Sequence, residues 1–504
     1  MSGCGCFRAP SHLVSDTFSH KTGVIMLFAD ILFLFVFLPL CLISYFVCKD
    51  IKAKNAVLLV FSLIFYAWGE PVRILLLVLS AAINYAFAIM IELSKGTRKA
   101  KSYLVMSLIY NIGMLAIFKY TDFFLQNVNA LLGTSIPMQN IALPLGISFY
   151  TFQIISYVID VYWDKVSAQR KFSDLLMYIS LFPQLVAGPI VRYETVAREI
   201  RSRKTTIADF SEGACRLIVG LTKKVLLANN LNLLVELMFG VQKTSAGTVI
   251  NIGNSTVLGA WIGVIAYAMQ VYFDFSGYSD MAIGMGRIFG FHFDENFNYP
   301  FICRSISEFW QRWHISLGSF FRDYLFYVPI FGKRRKYLSL LLVWFTTGLW
   351  HGASWSFVLW GLYFGFFIFI ESLAGKKLLK RIPDVIMHIY NKIVIVLGFG
   401  IFYFTDMSQM GTFFKALVGA NGNAFSSETT VADFESYIWL FLLAIVACFP
   451  ILPAIEKRIK SLSYYGQGVA VLIKTVLCCG MLYICVNLLV DSFLTNNPFL
   501  YFRF

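Results

Sequence analysis

The sequence predicts an all-α protein that crosses a membrane many times, and two observations predict it. Of its 504 residues, 58% are hydrophobic and only 14% are charged, whereas an ordinary soluble domain has about 25% charged residues. Apolar runs of about 20 residues, the length that an α-helix needs to span a bilayer, recur to the C-terminus without a long hydrophilic block between them. We therefore expect one transmembrane domain over residues 26–504.

Residues 1–25 form a polar leader ahead of the first apolar run. They contain no apolar core of signal-peptide length, so we expect that first run to be retained as a span. Met26 is itself a candidate initiator, in which case the leader is a start-site artefact. No function is assigned to it.

About eleven crossings are predicted, together with re-entrant pieces. The apolar runs that predict them cover residues 27–48, 55–69, 73–93, 103–118, 141–163, 211–240, 256–273, 337–374, 391–406, 436–454 and 467–495. Residues 119–140 are expected to be a loop outside the membrane. Segment 175–191 lies between basic flanks and contains two prolines and a glycine, which favours a broken, re-entrant helix.

The net charge of +14 arises from short basic clusters between the apolar runs. This pattern is typical of cytoplasmic loops under the positive-inside rule and argues against nucleic-acid binding. The ten cysteines show neither zinc-ligand pairing nor a framework of spacings. No metal site is therefore predicted.

Polar residues interrupt the apolar pattern in the stretch FDFSGYSDMAIG, residues 273–284. Asp274, Ser276, Tyr278 and Asp280 are expected at membrane depth, where carboxylates are expensive. They are candidates for lining a functional site. Helix capping or packing explains them equally well.

Residues 304–324 are predicted to form one amphipathic helix that lies along the membrane surface. At 100° per residue, His314 and Trp310 fall on its aromatic, inward face, while Arg312 and Ser316 fall on the polar face. For His314, a functional role and a satisfied core histidine are equally good interpretations.

His351 lies in the motif WHGASW, near the expected turn of the hairpin 337–374. An imidazole at that depth must be paired or wetted, since lipid supplies no partner. Trp350 and Trp355 are expected to wall a narrow passage beside it. Desolvation favours the neutral imidazole that a general base requires, so His351 is the predicted base for attack of a hydroxyl on a thioester.

Eight blocks carry a family resemblance: FLFVFLPL (33–40), FYAWGEP (65–71), LPLGISFYTFQ (143–153), FPQLVAGPIVRY (182–193), YFDFSGYSDMAIGMGRIFGF (272–291), ENFNYPF (295–301), EFWQRWHISLGSFFRDY (308–324) and TGLWHGASWSFVLWGLYFG (347–365). In these blocks the sequence resembles the membrane-bound O-acyltransferase (MBOAT) family, in its bacterial alginate O-acetyltransferase branch. The resemblance implies a multi-helix membrane fold around a tunnel.

The same resemblance implies a catalytic histidine that matches His351 and a second functional histidine that matches His314. It also implies a cytoplasmic acyl thioester donor such as acetyl-CoA, with no permanently bound cofactor. A secreted or membrane-anchored partner acetyltransferase is expected to complete transfer to a polysaccharide acceptor. The expected location is the bacterial plasma membrane, in contact with its lipid.

Two alternatives remain open at this point. One is D-alanyl transfer to teichoic acid by the related branch of the family. The other is a transporter or flippase of an acylated lipid, with Asp274, Asp280 and the histidines binding cargo or protons.

Overall fold

The computed structural model describes residues 26–186, 188–244, 247–329 and 332–492. Within these ranges the chain is almost entirely helical, and its strands are confined to one antiparallel pair, Val241–Thr244 (β1) with Gly247–Ile250 (β2). The predicted leader, residues 1–25, lies outside the described residues. The all-α prediction is confirmed.

Twenty α-helices lie in the described ranges and are numbered in chain order. The first ten are α1 (Leu38–Val47), α2 (Ile51–Gly69), α3 (Ile74–Leu93), α4 (Arg98–Leu132), α5 (Ile147–Tyr162), α6 (Phe172–Ser180), α7 (Phe182–Leu185), α8 (Tyr193–Arg201), α9 (Ile207–Thr222) and α10 (Asn229–Met238). The others are α11 (Val257–Ile288), α12 (Ile306–Arg312), α13 (Ile315–Phe321), α14 (Lys336–His351), α15 (Trp355–Leu379), α16 (Asp384–Tyr403), α17 (Met407–Leu417), α18 (Glu428–Ala447), α19 (Ile451–Lys460) and α20 (Tyr464–Ser492). Short π-helical or 3₁₀ turns occur at Phe33–Phe37, Lys223–Ala228, Ile252–Asn254, Pro300–Ile302 and Arg322–Phe326.

Nine helices in the described part are long and apolar enough to cross a membrane: α2, α3, α4, the run Ile207–Met238 that joins α9 to α10, α11, α15 up to Gly375, α16, α18 and α20 from Tyr465. Three other segments predicted to cross form shorter helices, namely Phe33–Val47, α5 and α14. α5 and α14 have 16 residues each, about 24 Å at 1.5 Å per residue, against a hydrocarbon core of roughly 30 Å. Protein covers α5 along its length, since residues 147–161 are all buried.

The prediction of an outside loop over residues 119–140 was wrong for its first part, because α4 continues to Leu132. Polar residues suggested a loop, but they bind the segment that follows the helix. The carboxylate of Asp122, for example, accepts the backbone N–H groups of Gln139 and Asn140 at 2.7 and 2.9 Å. Lys119 therefore lies inside a helix.

Segment 175–191, expected to be a broken helix, contains the end of α6 and the one-turn helix α7. The helical path breaks at Leu181, and Pro183 lies in the first turn of α7. Neither helix has the length to cross a membrane. Both are packed inside the protein.

The prediction of one continuous helix over residues 304–324 was wrong, because α12 ends before His314 and α13 begins after it. The backbone of His314 is left-handed, with φ 45° and ψ 54°. Asn296 accepts two N–H groups of the next turn: Ile315 donates to its backbone oxygen at 2.9 Å and Ser316 to its side-chain oxygen at 3.2 Å. Helical periodicity cannot detect an acceptor so distant in sequence. Ser316, expected on the polar face, is buried.

The helices α9 and α11 approach each other closely through two pairs of glycines. A Cβ atom added to Gly220 would lie 2.5 Å from the carbonyl oxygen of Gly277, and one added to Gly213 would lie 2.6 Å from that of Gly284. Small residues at an interface let two membrane helices pack backbone to backbone. This contact fixes α11, which carries the polar stretch 273–284, against α9.

The glycine contact predicts that Gly220→Ala destabilises the protein by about 1–3 kcal/mol, because the added methyl group overpacks a backbone contact. Gly113→Ala in α4 is the matched control, since a Cβ atom there meets nothing within 4 Å. The measurement is the temperature at which the detergent-solubilised protein loses its monodisperse elution peak. Equal unfolding temperatures for the two variants would contradict the prediction.

Candidate functional site

His351 is the last residue of α14, and the chain leaves the helix through Gly352 in an extended conformation. The next helix, α15, begins at Trp355 and packs back along α14. Glycines permit this close return: a Cβ atom on Gly348 would lie 2.4 Å from the Phe357 carbonyl oxygen. The motif WHGASW therefore forms the turn of a helical hairpin, as predicted.

Two neighbouring side chains of α4 bind the C-terminal end of α14. The hydroxyl of Tyr120 donates to the carbonyl oxygen of Leu349 at 2.6 Å, and the ammonium of Lys119 donates to that of Trp350. The last carbonyl groups of a helix have no partner within the helix. α4 supplies those partners and so fixes the backbone next to His351.

Aromatic rings hold the imidazole of His351. The rings of Trp350, Trp360 and Phe402 meet it edge to face, with centroids 4.9, 4.8 and 5.1 Å away. The residue is 8% exposed, and its Nδ1 has no hydrogen-bond partner among the described residues. Packing, and not a carboxylate, thus orients this ring.

A cavity of about 40 Å³ lies beside His351. Its lining consists of Lys119, residues 143–149, Val186, Trp350 and His351. The imidazole is therefore accessible from a space inside the protein. One water needs about 10–15 Å³ of such space, so a cavity of about 40 Å³ admits a few waters. Side chains must therefore move before a pantetheine arm could pass.

His314 lies near the same site, on the other side of one indole. Its ring centroid is 5.8 Å from that of Trp350, which in turn contacts His351. Its Nδ1 is 3.1 Å from the side-chain oxygen of Asn296, and because that oxygen only accepts, Nδ1 is the donor. In the neutral ring Nε2 then carries no hydrogen, and it has no partner among the described residues.

The two tryptophans predicted to wall a passage have different positions. Trp350 lines the cavity. Trp355 is 57% exposed, donates from its indole N–H to the side-chain oxygen of Asn127 at 2.9 Å, and contacts the ring of Phe123. Trp355 therefore packs against α4 and is not among the described residues that line the cavity.

The polar stretch of α11 faces other partners. Asp274 forms an ion pair with Lys224 at 2.6 Å, and both side chains are buried. Asp280 accepts from Lys223 at 2.6 Å and from Arg216 at 2.9 Å.

Ser276 and Tyr278 are also buried, and Tyr278 stacks on Phe28. Asp274, Ser276, Tyr278 and Asp280 are not among the described residues that line the cavity beside His351. Their predicted role at the site stays a prediction.

Sequence reasoning missed two residues of this region, Lys119 and Asn296. A signal existed for Lys119, because a single cation inside the apolar pattern MLAIFKYTDFF is expensive in a membrane helix. Asn296 lies in the block ENFNYPF but carried no chemical signal of its own. Its amide also donates to the hydroxyl of Ser279 at 3.0 Å, which links His314 to α11.

The model of a family described as MBOAT, membrane-bound O-acyltransferase family, matches residues 114–407, a range that includes both histidines. The chain is 37% identical over 402 residues to a probable alginate O-acetylase of Pseudomonas aeruginosa, covering 78% of this chain and 75% of that protein.

Two other relatives have different printed activities. A peptidoglycan O-acetyltransferase of Helicobacter pylori is 33% identical over 437 residues, covering 79% of this chain and 81% of that protein. A teichoic acid D-alanyltransferase of Bacillus subtilis is 29% identical over 241 residues, covering 45% of this chain and 58% of that protein.

The ion pair on α11 predicts a strongly non-additive pair of substitutions. Lys224→Met should destabilise the protein by about 3–5 kcal/mol, because it leaves a buried carboxylate without its cation. Lys224→Met combined with Asp274→Leu should recover most of that loss, since both charges of the pair are then removed. Thermal unfolding of the three proteins in detergent measures this. A double variant no more stable than the single one would contradict the prediction.

Proposed function

This chain belongs to the membrane-bound O-acyltransferase family, and on that premise we propose that it passes an acyl group from a cytoplasmic thioester toward the hydroxyls of a polysaccharide outside the membrane. Family membership makes it a multi-pass membrane protein and an O-acyltransferase. The proposal names the donor, the acceptor and the catalytic base.

One observation carries the proposal: the buried imidazole of His351 borders a small cavity, and aromatic rings surround it. A neutral imidazole in such a place can take the proton of a hydroxyl group that bulk water cannot reach easily. Among the described residues that line this cavity, only His351 and Lys119 have basic side chains.

The proposed reaction joins a hydroxyl oxygen to the acyl carbon. His351 takes the hydroxyl proton while the oxygen adds to the carbonyl carbon of the thioester, and the carbonyl oxygen becomes an oxyanion. When the carbonyl group re-forms, the carbon–sulfur bond breaks and the thiolate leaves with the proton from the imidazolium. The products are an ester and a free thiol, and general base catalysis of this kind contributes a factor of about 10²–10⁴.

His314 is proposed to position the site and not to take the hydroxyl proton. It packs against Trp350, whose other contacts include His351. Its hydrogen bond to Asn296 holds its ring in one tautomer. In this role His314 keeps the indole, and through it the base, in a fixed orientation.

The acyl group is proposed to be acetyl and the acceptor a cell-surface polysaccharide. Relatives named as an alginate O-acetylase and a peptidoglycan O-acetyltransferase match more than three quarters of this chain, while the D-alanyltransferase matches 45%. Acetyl-CoA at the cytoplasmic face of a bacterial plasma membrane is the proposed donor, and a partner acetyltransferase outside completes the transfer.

His351→Ala is expected to lower acyl transfer to the exported polymer by at least about 10²-fold, because the base is removed. His292→Gln is the matched control, since that histidine is exposed and bonds Glu199. Membrane vesicles from cells that make the polymer are supplied with labelled acetyl-CoA, and label in the polymer is counted. Full transfer by a correctly inserted His351→Ala protein would reject the assigned base.

Mass analysis of the modified polymer separates the two acyl groups. We expect base-labile esters that add the mass of an acetyl group and contain no nitrogen. Esters that contain nitrogen and have the mass of alanine would replace the acetyl proposal by the D-alanyl alternative. Cells that lack this protein serve as the control, and their polymer should carry neither ester.

A further inference from the structure

Lys119 is a cation inside α4, a helix that is long and apolar enough to cross a membrane. Its side chain is half-buried and lines the same cavity as His351. An ionisable residue at such depth is costly and is retained where it serves the site. The mechanism proposed above does not use it.

The partners of Lys119 leave its charge uncompensated. Its ammonium donates to the carbonyl oxygen of Trp350 and lies 5.8 Å from the centroid of that indole. Among the ion pairs of the described residues, none includes Lys119. An ammonium has three N–H donors, so two are available beyond the bond to Trp350.

A purely structural role explains only part of this arrangement. A cation near the C-terminal end of a helix is favourable, and the end of α14 needs donors. Tyr120 supplies such a donor to Leu349 without any charge. A neutral donor at position 119 would serve Trp350 in the same way, so helix capping does not account for an ionisable amine that borders the cavity.

We infer that Lys119 stabilises the oxyanion formed when the acceptor hydroxyl adds to the thioester carbonyl, an inference that rests on the proposed function. The ammonium is bonded to the peptide that directly precedes His351, so the charge and the base border one small space. In the ground state the acyl oxygen is an uncharged carbonyl oxygen, and it gains negative charge only as the new bond forms. A fixed positive charge there acts mainly on the transition state.

Three single variants test this inference. Lys119→Gln removes the charge but keeps a neutral donor for the Trp350 carbonyl oxygen, Lys119→Arg keeps a charge, and Tyr120→Phe removes only the neighbouring cap of α14. The assay is transfer of label from acetyl-CoA to polymer in membrane vesicles, with the amount of inserted protein measured for each variant. The maximal rate and the donor concentration that gives half of it are determined separately.

Loss of one such electrostatic donor typically lowers kcat by about 10²–10³-fold. We expect Lys119→Gln to show a loss of that size with the half-saturating donor concentration nearly unchanged. Lys119→Arg should be at least about tenfold faster than Lys119→Gln, because a cation in a changed geometry still stabilises the oxyanion in part. Tyr120→Phe should lose at least about tenfold less rate than Lys119→Gln, because it removes an anchor of the α14 backbone but no charge.

Several results would overturn the inference. They are a Lys119→Gln rate close to that of the wild type, a loss in Tyr120→Phe as large as in Lys119→Gln, and an effect confined to the half-saturating donor concentration. If Lys119→Gln does not insert, Lys119→Ala supplied with methylammonium replaces it, and failure of the added cation to restore rate counts against the inference. Wild-type vesicles that transfer no acyl group at all would instead reject the proposed function.

Discussion

Backbone polar groups away from water need hydrogen-bond partners, and the rest of the structure depends on this requirement. The end of α14 shows it most clearly. That helix ends at His351, where its last carbonyl groups have no partner within the helix. Tyr120 and Lys119 of α4 bind two of them. The same two bonds fix the backbone that carries His351, so an interaction required for folding also sets the geometry of the site. The contacts of Trp350 with both histidines depend on this anchoring.

Polar side chains in the membrane domain fall into two groups that differ in their partners. Around α11, charges are matched within the protein, as in the pair of Asp274 with Lys224 and that of Asp280 with Arg216. Such pairs avoid the large cost of an isolated buried charge. Near Trp350, one nitrogen of each nearby histidine has no partner among the described residues, as is also true of the Ser276 hydroxyl on α11. Unsatisfied buried groups are costly and concentrate where chemistry or binding requires them.

The sequence predicted the parts of the site that depend on local pattern. The hairpin that ends in WHGASW, the depth of His351 and the broken path of segment 175–191 all follow from hydrophobic runs, glycines and prolines. It failed where a distant side chain replaces a local hydrogen bond. The helix predicted over 304–324 breaks at His314 because Asn296 accepts the N–H groups of the next turn.

Composition and periodicity by themselves determined that the chain is a multi-pass helical membrane protein with an imidazole inside it. Both conclusions depend on the cost of exposing polar groups to lipid, which can be judged along a single helix. Tertiary structure decided which polar residues neutralise one another and which face the cavity, because that depends on which helices pack together. Lys119 and Asp274 are similar in sequence, since each is a charged residue directly after a predicted span. Only the packing of α4 on α14 and of α9 on α11 brings the first to His351 and the second to Lys224.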